Sequence, residues 1–270
     1  MQQKFKSILP GILALLVLAG SCKQSENKKE GSAEEQTNQT ASTMKKKILF
    51  VVTSHDTKGS TGEKTGYYLG EVSHPWDVLT EAGYEIDFVS PQGGNPPVDG
   101  FDLSDSVNKK FWDDSLYHEK ITHSLTPDQV NQADYQAIFY AGGHGAMWDL
   151  PITATIDTIA SKIYENNGIV AAVCHGPAGL VNIQLSNGDY LVKGKKVNGF
   201  TNEEETIVKL TKVVPFLLED KLKERGGIYE KSAPWQPHVT VDQRLITGQN
   251  PQSAKGVGEA IVKELEKQKQ

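Results

Sequence analysis

From Lys45 onward, apolar runs of strand length alternate with stretches of helical periodicity. Residues 48–53 form a nearly unbroken apolar run, the pattern of a strand covered on both faces. A polar, glycine-rich loop follows through Gly66. Residues 68–82 have the spacing of a helix that stops at Gly83. Residues 85–90 predict the second strand, and residues 91–100 a loop dense in proline and glycine. Residues 137–141 predict a further buried strand that ends at Gly142, Gly143, His144 and Gly145. A helix over 152–166, a strand over 168–174, a strand over 244–248 and an amphipathic helix over 251–267 complete the series. Strands alternating with helices at this spacing predict an α/β fold, a mostly parallel central sheet flanked by helices on both faces. In such sheets the working crevice lies beyond the carboxyl ends of the strands. The loops after Thr53, Ala141 and Val173 are therefore expected to meet.

The first 22 residues read differently. Lys4 and Lys6 make a short basic start, an apolar stretch covers 8–18, and Leu18-Ala-Gly-Ser-Cys22 follows. This is a secretory signal, too short to span a membrane. The small residues before Cys22 resemble a bacterial lipobox, with Ala19 a looser fit than the usual leucine. Lipidation of Cys22 is expected, and a cleaved signal or an uncleaved anchor are the alternatives. Residues 23–44 carry nothing larger than alanine among aliphatic and aromatic types until Met44, so they predict a disordered tether. The domain is then residues 45–270, exported and held at the periplasmic or cell surface, with the lipid its only membrane contact.

Composition narrows the choices. The chain has 270 residues and a net charge of -6, so no basic excess points to nucleic acid. Its two cysteines, Cys22 and Cys174, are no disulfide framework. Phosphate-cradling GxxxxGK[ST] or GxGxxG patterns are missing from the strand–helix junctions, and no cofactor is expected. His55, His74, His118, His123 and His144 show no metal spacing of the HExxH kind, and no metal is expected.

Cys174 is the strongest chemical candidate. It falls where a buried strand gives way to His175-Gly-Pro-Ala-Gly-Leu180. A sharp strand–helix corner lifts one side chain, and the helix start would lower the thiol pKa and leave it exposed. A small buried core cysteine is the bland alternative. His175, directly after it, can serve as base if a carboxylate orients it. Gly142 to Gly145 can form either an oxyanion hole or a tight turn. Glu71 is either an ordinary helix-start acid or an acid facing the thiol across the crevice. Glu203, Glu204 and Glu205 precede an apolar run, where most are expected to be a solvated helix start. The pattern does not single out one of them.

Residues 171–178, with Cys174, His175, Gly176 and Pro177, resemble the nucleophile elbow of the ThiJ/PfpI superfamily. That superfamily shares a flavodoxin-like three-layer sandwich with class I glutamine amidotransferases. Residues 80–94, 141–149 and 245–253 resemble its glyoxalase III and chaperone-like branch, and the resemblance spans about Lys46 to Lys267. It implies Cys174 as nucleophile, His175 beside it and Glu71 facing the thiol. Counting past Gly199-Phe-Thr lands the triad acid on Glu205, with Glu204 one register away. The backbone of Gly143 and His175 is implied as the oxyanion donors. A small-aldehyde substrate, glutathione-independent conversion of methylglyoxal to lactate and a homodimer follow from the same resemblance. A cysteine amidase or peptidase, and a non-catalytic chaperone or redox-stress protein, are the competing expectations.

Overall fold

Apolar runs without polar interruption must be covered on both sides, and here they form the middle of one sheet. The computed structural model describes residues 47–269; the signal segment, Cys22 and the 23–44 tether lie outside the described residues. The strands are β1 (Lys47–Val51), β2 (Tyr67–Tyr68), β3 (Glu85–Val89), β4 (Val98–Asp99), β5 (Ala137–Tyr140), β6 (Ile169–Val173), β7 (Lys196–Val197), β8 (Ile228–Tyr229), β9 (Val239–Asp242) and β10 (Leu245–Gly248). The helices are α1 (Leu69–Glu81), α2 (Ser106–Asp113), α3 (Ser115–Thr122), α4 (Ala146–Asp149), α5 (Ala154–Glu165), α6 (Asn202–Ile207), α7 (Leu218–Glu224) and α8 (Ala254–Lys267).

Six strands form the main sheet in the order β3-β1-β5-β6-β10-β9. All its neighbours pair parallel except β9, which runs antiparallel to β10. Phe50 of β1 sits in register with Phe88 on one side and Phe139 on the other, and the rings meet at 5.7 and 4.7 Å. Right-handed crossovers place α1, between β1 and β3, and α5, between β5 and β6, on opposite faces. On the α1 face α8 packs close, with Gly258 against the backbone of Pro75, where an added Cβ would lie 3.0 Å from the Pro75 Cα. The predicted α/β sandwich is the observed one. Strand order changes direction between β1 and β5, so a crevice opens at their carboxyl ends.

The local differences have physical reasons. The predicted 152–166 helix is α5 preceded by a 3-10 turn over Leu150–Ile152, because Pro151 and the non-helical Thr153 interrupt it; Ile152 is left 80% exposed. β9 is an edge strand with a mixed burial pattern, too weak in sequence to stand out. After Cys174 there is no α-helix but a short 3-10 segment, Gly176–Leu180. Pro177 opens it, and Gly176 and Gly179 press against Tyr140; a Cβ on Gly176 would lie 2.2 Å from the Tyr140 carbonyl oxygen. A full helix dipole therefore does not act on the thiol, contrary to the expectation from sequence.

Candidate active site

The loops after β1, β5 and β6 do converge. Gly145, after β5, approaches the backbone of His55, after β1, and Gly142 abuts the backbone of His175, after β6. Cys174 stands at the turn of β6 with φ +58°, a left-handed conformation that costs a side-chain-bearing residue energy. The surroundings hold it there. Its N–H donates to the Gly248 carbonyl at 2.9 Å, and its carbonyl accepts from Phe200 N–H at 2.8 Å.

The sulfur is not exposed as the sequence suggested. Cys174 is 3% exposed, at the floor of a cleft of about 580 Å³ whose walls include Tyr68, Gly143, His144, Phe200 and Trp235. Burial, and then the neighbouring Glu71 carboxyl, push the thiol well above its ordinary value, against a backbone N–H of His175 that favours the thiolate. The expected lowered thiol pKa is therefore corrected. A low-dielectric site with no full helix start cannot supply it. A larger cleft of about 730 Å³, bordered by Tyr135, Asn167 and Arg244, holds none of the candidate residues.

Glu71 faces the thiol from the first turn of α1 and is fully buried. Its Oε2 accepts the Gly142 N–H at 2.8 Å, Oε1 has no hydrogen-bond partner, and the carboxyl neighbours the Cys174 thiol. Burial raises its pKa to about 8, outweighing the bonds from Cys174 and Gly142 that favour the anion. Glu71 is thus protonated at neutral pH. It places a neutral O–H donor, not a second negative charge, beside the sulfur.

His175 joins the sulfur to an acid. Its Nδ1 lies 3.3 Å from Cys174 Sγ and its Nε2 2.8 Å from Glu205 Oε2. An ionised carboxylate only accepts, so Nε2 carries the proton and Nδ1 presents a bare lone pair to the thiol. Burial, then the nearby His144, depress the His175 pKa to about 4, so the ring is neutral. Burial works against ionisation of Glu205, but N–H bonds from His144 and His175 overcome it and hold the carboxyl at about 2. Glu205 is the acid bonded to His175.

Glu204 is not. It too is buried, so the expected solvated helix start describes only Glu203. Glu204 closes a capping box with Thr201 and accepts from Trp235, Gln249 and Asn250 instead. Gly143 has φ +98°, and an added Cβ would sit 2.2 Å from the Gly66 carbonyl oxygen, so only glycine fits. Its N–H has no acceptor among the described residues. Of the neighbouring backbone donors, Gly143 N–H is open, His175 N–H is directed at the Cys174 sulfur, and Gly142 N–H is taken by Glu71.

Sequence reasoning placed Gly143 and His144 near the thiol but missed that His144 joins the acid. His144 Nε2 lies 3.1 Å from Glu205 Oε1. His144, His175 and Glu205 present ligand-type atoms within 4.8 Å of one another. The two imidazoles and the carboxylate already satisfy each other by hydrogen bonds, and the geometry is that of a proton relay. Trp235 also escaped notice, and Phe200 served only as a landmark of the Gly199-Phe-Thr segment, not as a wall of the cleft. They reach the cleft through contacts distant in sequence, and no local pattern marks them.

A family model described as the DJ-1/PfpI family matches residues 64–264. The chain belongs to the DJ-1/PfpI family. Among relatives of this DJ-1/PfpI protein, a glutathione-independent glyoxalase of Saccharomyces cerevisiae is 37% identical over 227 residues, covering 77% of this chain and 93% of the relative. Glyoxalase 3 of Candida albicans is 33% identical over 238 residues, covering 82% and 98%. Among solved structures, the Rapid Encystment Protein 24 KDa of Francisella tularensis superposes with a TM-score of 0.79 at 43% identity, covering 82% of this chain and 99% of that one. Glyoxalase III from Candida albicans gives a TM-score of 0.76 at 30% identity, covering 82% and 98%.

Proposed function

We propose that this DJ-1/PfpI protein is a glutathione-independent glyoxalase that converts methylglyoxal and water to lactate. The observation that carries the reading is the relay from Cys174 through His175 to Glu205, with a protonated Glu71 on the far side of the sulfur. The protein's own thiol forms the hemithioacetal with the aldehyde, so no glutathione is needed. As the sulfur bonds to the aldehyde carbon, its proton passes to His175 Nδ1 and the carbonyl oxygen takes the negative charge. Gly143 N–H stabilises that oxygen. His175 returns the proton to the oxygen and, neutral again, removes the hydrogen of the same carbon as a proton. The electron pair forms a carbon–carbon double bond and the ketone oxygen takes the negative charge, giving an enediolate; His175 then delivers the proton to the carbon bearing that oxygen, while the hydroxyl proton on the sulfur-bearing carbon passes to the same oxygen and the thioester carbonyl forms. The product is a lactoyl thioester on Cys174, which water cleaves to lactate and free thiol. Negative charge appears twice in this sequence next to Glu71, and a neutral carboxyl there tolerates it.

The test is lactate formation by purified protein without glutathione, followed from pH 5 to pH 10. Activity is expected to fall as pH rises through about 8, where Glu71 ionises. Glu71→Gln keeps a neutral donor that cannot ionise. It is expected to lose less than the ~10²-fold typical of a group that transfers protons itself, and to lack the alkaline decline. No lactate from the wild-type protein at any pH would end the glyoxalase reading.

The sequence around Cys22 supports a companion reading: the chain is exported and lipid-anchored through Cys22 at the periplasmic or cell surface. Cys22→Ser is expected to move the protein from the membrane fraction to the soluble fraction.

A further inference from the structure

His144 has no part in the mechanism so far, yet it contacts two members of the relay. Its Nε2 lies 3.1 Å from Glu205 Oε1, while His175 Nε2 holds Oε2 at 2.8 Å. One carboxylate is thus divided between two imidazoles. The His144 ring also lies 4.0 Å from the His175 ring, centroid to centroid, and Phe200 lies 4.3 Å from the same ring. The three rings meet at tilted angles of 40° and 34°. His144 and Phe200 therefore both pack against His175, with their own ring centroids 6.0 Å apart, and together they restrict its movement.

Glu205 needs such help. It sits in the first turn of α6, a helix of only 6 residues, and its long side chain has rotamer freedom that this helix does not remove. Without His144, Oε1 would be a nearly buried carboxylate oxygen lacking its donor, which is costly, and the carboxylate would be free to rotate away from His175.

We propose that His144 is a positioning residue for the glyoxalase reaction: it fixes the Glu205 carboxylate through one oxygen and packs on the His175 ring, so that Nδ1 stays aimed at the Cys174 sulfur. The inference rests on the glyoxalase reading for its kinetic test, though not for its geometry. His144 reaches the site from the turn after β5, Glu205 and Glu204 from α6, Glu71 from α1, and Cys174 from the end of β6. These are the titratable and charged groups that face His175.

Two substitutions separate the hydrogen bond from the ring contact. His144→Phe keeps a ring against His175 and removes the N–H, whereas His144→Gln keeps an N–H donor and removes the ring. His144→Phe is expected to lower kcat ~10- to 100-fold, the usual effect of removing an outer partner of a functional histidine, with little change in KM. With the Glu205 charge no longer shared, the acid limb of its kcat/KM profile is expected to move to higher pH. His144→Gln is expected to recover most of kcat. A wild-type kcat and pH profile in His144→Phe overturns the proposal, and so does a change confined to KM, which would mark a substrate contact only.

Proton NMR of the Cys174→Ala protein gives a readout independent of turnover and of whether the His144 variants fold. Two downfield imidazole N–H resonances bonded to carboxylate are expected, one each from His144 and His175. Absence of the His144 resonance overturns the proposal. If the wild-type protein makes no lactate, the glyoxalase reading fails and this spectrum still decides the role of His144. If lactate forms and His144→Phe behaves as wild type, only the positioning role fails.

Discussion

Replacing Cys174 by alanine is expected to abolish lactate formation, with a loss on the order of 10³-fold or more, because no other group in the cleft can form the thioester. The fold should survive. Cys174 is small and buried, and its two backbone bonds, to Gly248 and Phe200, do not involve the side chain. A companion variant tests whether the elbow is strained. At φ +58° alanine is penalised as cysteine is, but glycine is not. Cys174→Gly should be equally inactive yet more stable than Cys174→Ala by ~1 kcal/mol, the reverse of the ordinary order in regular structure. Thermal denaturation of the two variants, read beside their lactate assays, checks both points. Residual turnover in either variant would move the chemistry off the sulfur, and a less stable glycine variant would remove the strain argument.

Strain at the nucleophile shows what sequence alone could and could not supply. The apolar runs that became β1, β5, β6 and β10 predicted a parallel sheet, and the sheet placed Cys174, His175 and Gly143 at one crevice. That much follows from periodicity, because a strand buried on both faces leaves an unmistakable run. The acids were another matter. Glu71 looks like any helix-start carboxylate until burial and a facing thiol are known; its neutral state at pH 7 is a property of the surroundings, not of residue 71. His144 and Glu205 are joined across 61 positions, and Trp235 and Glu204 across 31. No local window contains both partners. The inference that failed, an exposed thiol activated by a helix dipole, failed because a strand–turn pattern does not reveal that Gly176 and Gly179 pack too tightly on Tyr140 for an ordinary helix to follow.

Glu204 and Glu205 are adjacent in the chain, alike in chemistry and both buried, yet their substitutions should have opposite signatures. Glu205 bridges two histidines, and Glu205→Gln removes the charge that orients and supports His175. Activity is expected to fall ~10²- to 10⁴-fold, the range seen when a triad acid loses its charge, with a modest change in stability. Glu204 touches no reacting group. Its Oε1 accepts from Trp235 N–H at 2.9 Å, Gln249 Nε2 at 3.1 Å and Asn250 Nδ2 at 2.9 Å. Its Oε2 accepts from the Thr201 N–H at 3.0 Å and hydroxyl at 2.9 Å. The amide orientations are fixed, since Gln249 Oε1 accepts from Ser232 and Asn250 Oδ1 from Ser253. Every group around Glu204 is therefore a donor, and only a carboxylate can accept at both ends. Glu204→Gln must turn an NH2 toward one set of donors. The expected cost is ~3 kcal/mol or more, comparable to leaving buried polar partners unmade. It should appear in denaturant titration as a lower midpoint with an unchanged slope. Because Glu204 ties the Trp235 wall of the cleft to the loop after β10, any kinetic effect that remains in the folded fraction should fall on KM rather than kcat. The reverse pattern, with Glu204→Gln stable and inactive and Glu205→Gln unstable and active, would transfer the triad role to Glu204 and undo the relay on which the mechanism depends.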